Sequence, residues 1–129
     1  MYINYLEKTR QNYREIVHRL IIEVDNELAL FNSTKNSIYL MQAGEKCYNV
    51  VVQIVNLYNI EHGLPITEHH EDVRKFYKKQ MLKEDTKNTI LVYGNLLHKN
   101  FYNHNIIDSK AKEYCYYILG VAKRYFKLP

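Results

Sequence analysis

The chain is predicted to be all-α, on three observations. Its 129 residues hold only 4 Gly and 2 Pro, too few breaks for a turn-rich β architecture. Apolar residues recur every third or fourth position over long stretches, the period of one helix face. Between those stretches lie short clusters of Asn, Ser, Thr, Gly and Pro, which mark joints. The expected architecture is an antiparallel four-helix bundle core with a fifth, shorter helix, in one domain spanning residues 1–129.

The first helix is expected from about Tyr2 to Phe31, on a stripe of Leu6, Tyr13, Val17, Leu20, Val24, Leu28 and Phe31. Asn32, Ser33 and Thr34 carry side chains that compete for backbone hydrogen bonds, so they read as a break, with Ser33 or Thr34 capping the next helix. That second helix, about Asn36 to His62, has two apolar stripes. Ala43, Cys47, Val50, Ile54 and Tyr58 make one, and Met41, Tyr48, Val52 and Val55 the other. The polar arc of Gln42, Glu45, Lys46, Asn49, Gln53 and Asn56 covers only about a third of the circumference. This helix should be the most buried, covered from two sides, either by the last helix or by a second subunit. Gly63-Leu64-Pro65 should end it, because Gly suits the position after a helix and Pro cannot continue one.

Thr67 is a plausible cap for a third, shorter helix to about Leu82, with Glu68, Glu71 and Asp72 placed against its N-terminal dipole. A fourth helix is expected from about Thr86 to Tyr102, with Ile90, Gly94, Leu97 and Phe101 facing the core. After a turn at Asn103-His104-Asn105, Asp108 or Ser109 should cap a fifth helix to about Phe126. Its stripe is Ala111, Tyr114, Cys115, Ile118, Val121, Ala122 and Tyr125.

Charge is unevenly placed. Residues 1–64 carry six Lys/Arg against seven Asp/Glu, and residues 65–129 carry twelve against seven. Lys99, Lys110, Lys112, Lys123 and Arg124 of the basic half are therefore candidate contacts to nucleic-acid phosphates. The 13 Tyr invite a base-stacking reading. Lys, Asn, Ile and Tyr together make 51 of 129 residues, however, a bias that A/T-rich codons produce by themselves. Cys47 and Cys115 lie in apolar helical patterns, with no C-x-x-C spacing and no secretory signal. They read as reduced core thiols in a cytoplasmic protein. No apolar run reaches the roughly 18–20 residues of a membrane span.

The densest group of side chains able to bind or react is Gly94-Asn95-Leu96-Leu97-His98-Lys99-Asn100-Phe101-Tyr102-Asn103. His98 sits on a flank of the fourth helix with Leu91, Asn95 and Tyr102. An imidazole there can serve as a general base, as a ligand, or as a boundary residue bonded to a carboxylate or carbonyl. Gly94 lets a neighbouring helix or ligand approach the backbone.

The run Leu97-His98-Lys99-Asn100-Phe101-Tyr102 resembles the Leu-His-x-Asn-Phe-Tyr signature of the PaREP family, archaeal proteins expanded as paralogous repeats. Gln42-Ala43-Gly44-Glu45-Lys46-Cys47-Tyr48 is similar to that family's Glu-Lys segment on the second helix, and His69 or His70 followed by Val73 to the start of its third. The resemblance covers about residues 5–125. It implies a HEPN-like helical fold, the nucleotide-binding domain shared by prokaryotes and higher eukaryotes, whose members are often dimers and metal-independent RNases. Glu45, Asn95, His98, Lys99, Asn100 and Tyr102 are the candidate ligand contacts. HEPN nucleases carry an Arg-polar-x-x-x-His motif, and here Tyr93 and Gly94 stand at the Arg and polar positions. Without a guanidinium there is no fixed fork of donors for a phosphate.

Other constellations are weaker. Arg14 and His18 echo the Arg-x-x-x-His spacing on the first helix, but His18 points to solvent by its helical angle. His62, His69, His70 and His104 show no metal-ligand spacing. The expected protein is thus a non-catalytic HEPN-like module that binds nucleic acid, a nucleotide or a protein partner, without metal or cofactor. A homodimer or larger homo-oligomer is expected from the broad apolar arc of the second helix and from the resemblance. Two alternatives are a metal-independent RNase using His98 and a purely structural oligomerisation protein.

Overall fold

The computed structural model describes residues 2–64 and 85–129. These form four helices: α1 (Tyr2–Thr34), α2 (Ser37–Glu61), α3 (Asp85–Asn103) and α4 (Asp108–Phe126). No strand occurs among the described residues. The expected third helix, with His69 and His70, lies outside them.

Contacts fix the directions. Lys46 of α2 meets Glu27 of α1, and Arg10 meets Glu61 at the other end, so α1 and α2 are antiparallel. Gly44 lies against Leu97 and Val51 against Gly94, which makes α2 and α3 antiparallel as well. Ser37 bonds Asp108 and Cys47 meets Cys115, so α4 runs parallel to α2. The helices form an up-down-up-down bundle with α2 touching all three others.

That central place explains the double stripe of α2. Cys47 and Val50 are 0% exposed and Ile54 1%, as their stripe requires. Burying side chains of this kind contributes about 1.5–3 kcal/mol each. Core partners are Val17, Val24 and Leu28 on α1, Ile90 and Leu97 on α3, and Cys115, Ile118 and Ala122 on α4. The broad apolar arc is consumed inside the chain, so it no longer argues for a second subunit. The polar arc is also more covered than expected: Asn56 is buried, and Gln42, Glu45, Lys46, Asn49 and Gln53 are half-buried.

Two joints differ from expectation. α1 runs on through Ser33 and Thr34 because both hydroxyls donate back to the Leu30 carbonyl, at 3.1 and 2.7 Å, which continues a helix rather than starting one. The turn falls at Lys35, with φ 57°, and Asn36 caps α2 by accepting from the Ile38 N–H at 3.1 Å. At α4 neither Asp108 nor Ser109 is the cap. Ile107 holds that position without a side-chain bond, while the Asp108 carboxylate accepts the Ser37 hydroxyl at 2.8 Å. The end of α2 is as expected. Gly63, at φ 68°, and Leu64 donate to the carbonyls of Ile60 and Asn59, which closes the last turn. No helix among the described residues is long and apolar enough to cross a membrane.

Candidate functional site at the α2–α3 seam

Two glycines let α2 and α3 approach. A Cβ on Gly44 would stand 3.1 Å from Leu97, and one on Gly94 would stand 3.2 Å from Val51 and 3.4 Å from Tyr48. This close packing sets the register that brings Glu45 and Tyr48 of α2 beside His98 of α3.

His98 Nδ1 lies 2.9 Å from each carboxylate oxygen of Glu45. The ring N–H on Nδ1 donates to that carboxylate, so in the neutral ring Nε2 is the basic nitrogen. The Tyr48 ring stacks on the imidazole, with centroids 4.4 Å apart and planes 20° apart. Tyr102 meets it edge-on at 5.3 Å. Tyr48 is buried, and the Glu45 and His98 side chains retain 17% and 21% exposure. Tyr102, at 70%, stands in solvent. A carboxylate behind an imidazole and an aromatic face beneath it hold the ring in one orientation at a partly open seam.

The other candidates divide. Asn95 is half-buried and Lys99 exposed, on the same helix as His98. Asn100, expected among the ligand contacts, is instead 2% exposed, with its Oδ1 accepting the Ile106 N–H at 2.8 Å. It braces the α3–α4 turn. Lys110 pairs with Glu113 at 3.3 Å and Lys112 donates to Asn32 at 2.9 Å, near the start of α4. Lys123 and Arg124 lie near its end, about 19 Å further along the axis at 1.5 Å per residue. The four cations of α4 therefore do not make one compact patch.

Tyr93, at the position of the missing Arg, packs on α4, stacked on Tyr114 at 4.2 Å and edge-on to Tyr117 at 5.3 Å. His18 is exposed. Arg14 does not pair with it; its guanidinium donates to the carbonyls of Phe126 and Lys127 at 3.0 and 3.2 Å. Among the described residues, no three His, Cys, Asp or Glu side chains converge as metal ligands would. The sequence does not mark Tyr48 as a site residue, because it belongs to an apolar stripe. The signal that could have found it is its place three residues after Glu45, on the same face of α2. In comparisons with known protein families, curated proteins and solved structures, nothing matches this chain.

Proposed function

We propose that the chain is a HEPN-like helical module of the PaREP type, with a fifth helix between α2 and α3. It acts by binding a nucleotide or RNA segment at the α2–α3 seam rather than by cleaving it. The observation that carries this reading is the Glu45-braced His98 beside the exposed Tyr102, with Lys99 one residue on. Tyr102 offers a ring on which a base can stack, a contact worth about 1–3 kcal/mol per base. Lys99 offers charge to a phosphate, and His98 a fixed hydrogen-bonding edge. Absence of cleavage follows from Tyr93, which packs against α4 tyrosines where a phosphate clamp would require an Arg. A dimer is part of this proposal on the resemblance alone.

The test is titration of short single-stranded RNA into the full chain, read by fluorescence anisotropy and by NMR shifts of the His98 and Tyr102 rings. Micromolar binding that weakens steeply with salt and falls about tenfold or more in Tyr102→Ala supports it. Binding that leaves both rings unshifted refutes it.

A second reading draws on the carboxylate–imidazole pair itself. Glu45 orients His98 as an acidic residue orients a general base, which favours a slow metal-independent RNase. Cleavage of RNA in chelator by wild type, abolished in His98→Ala, would replace the binding-only reading.

A further inference from the structure

The chain has 2 cysteines, 68 residues apart, and the fold brings them together between α2 and α4. Both are 0% exposed. The Cys47 Sγ lies 3.9 Å from the carbonyl oxygen of Cys115. Neither thiol belongs to the α2–α3 site, although Cys47 sits between Glu45 and Tyr48 on α2. A single buried thiol fills space as a small hydrophobe. Two buried cysteines that meet across different helices also have a shared chemistry.

We propose that Cys47 and Cys115 form a two-electron thiol–disulfide couple whose oxidation by a hydroperoxide ties α2 to α4. One sulfur, as its thiolate, attacks a peroxide oxygen. The O–O bond breaks, and the departing hydroxide takes up the thiol proton as water, leaving a sulfenic acid. The second sulfur then attacks the sulfenic sulfur, an S–S bond forms, and the hydroxyl leaves as a second water with the second thiol's proton. Two thiols and one hydrogen peroxide thus give one disulfide and two waters. Burial pushes the Cys47 thiol well above its usual pKa, and the hydrogen bond with Cys115 adds to this. The first step is therefore slow and proceeds through local opening. The second is fast, because reclosing the helices returns Cys47 against Cys115. That order protects the pair from over-oxidation.

The test uses the reduced, folded full chain treated with hydrogen peroxide, then denatured, alkylated and weighed intact. The expected product is a monomer lighter by about 2 Da with neither cysteine alkylated, whose digest yields a Cys47–Cys115 linked peptide. Its Tm should rise on the order of 10 °C, because the bond closes a long loop in the unfolded chain, and a reductant should reverse the rise. In Cys115→Ala, Cys47 should give a sulfenic acid trapped by dimedone instead of the link. If that variant fails to fold, the wild-type product alone decides. Two alkylated cysteines after exposure to peroxide, sulfinic acid on either one, or a dimer linked between chains would each overturn the couple.

Discussion

Glu45 and His98, 53 residues apart in sequence, are joined across the α2–α3 seam by both carboxylate oxygens at 2.9 Å from one ring nitrogen. Their partial exposure tempers the strength of the pair, since solvent screens it. A double-mutant cycle of Glu45→Ala and His98→Ala, read by urea denaturation, should give a coupling of about 0.5–1.5 kcal/mol. His98→Ala alone should cost about 1–3 kcal/mol, since it also removes the stack on Tyr48 and leaves a half-buried carboxylate without its donor. A coupling near zero would show that the pair does not hold the seam together.

The glycines divide by what surrounds them. Gly→Ala in a helix gains about 1 kcal/mol of intrinsic propensity. At Gly120 the nearest obstacle is the flexible Arg124 guanidinium at 3.6 Å, so Gly120→Ala should stabilise by about 0.5–1 kcal/mol. At Gly94 the new methyl would press on Val51, 0% exposed and stiff at χ1, and on the Tyr48 ring already stacked on His98. Gly94→Ala should therefore lower stability by about 1–2 kcal/mol net and shift the His98 ring resonances. Thermal melts of the two variants should move in opposite directions.

The helices were largely legible because periodicity and stop signals are local. The stripe of α2 and the Gly63 stop both come from residues within a few turns of one another. The joint after α1 was not. Whether Ser33 and Thr34 cap forward or bond backward depends on a contest for the Leu30 carbonyl that composition does not decide. The burial of Asn56 was not legible either, because helix angles alone do not count the neighbours of α2. Glu45 and His98 each stand out in the sequence, but their pairing depends on the register of α2 against α3, set by what Gly44 and Gly94 allow. The sequence does not show the bracing role of Asn100, because its partner, the Ile106 N–H, is in place only once the α3–α4 turn has closed.

Arg10 ties three elements together. Its guanidinium holds both Glu61 oxygens at 3.1–3.2 Å, donates to the Tyr125 carbonyl at 2.6 Å and lies 4.8 Å from the Tyr125 ring centre. At 37% side-chain exposure the ion pair is worth little, about 0–1 kcal/mol. The bond from a charged donor to a helix-terminal carbonyl is worth more, about 1.5–3 kcal/mol. Arg10→Ala should thus cost about 2–3 kcal/mol, well above Glu61→Gln. Arg10→Lys should recover little of it, because an ammonium cannot span the fork. Equal losses for Arg10→Ala and Glu61→Gln in chemical denaturation would mean that the ion pair dominates.

Stability should fall on the alkaline side. Burial raises the pKa of Cys47, of Tyr13 and of Tyr125; for Tyr125 the Glu61 carboxylate adds to the rise and Arg10 opposes it. Each group is neutral when protonated, and the folded state holds that proton more tightly than the unfolded one. Below the unfolded pKa, about 8.5 for Cys and 10 for Tyr, both states are protonated and the contribution is fully present. As pH rises through the folded pKa the unfolded chain gains by ionising, and that stability is lost. Denaturation midpoints should be flat from about pH 7 to 8.5 and then decline, first through the thiol and then through the phenols. Cys47→Ala should carry a pH-independent offset from the small cavity it leaves but a shallower decline between about pH 8.5 and 10. Tyr125→Phe should flatten the curve above about pH 10. A midpoint that climbs across this window, or an unchanged slope in both variants, would mean that these buried groups do not set the alkaline limit.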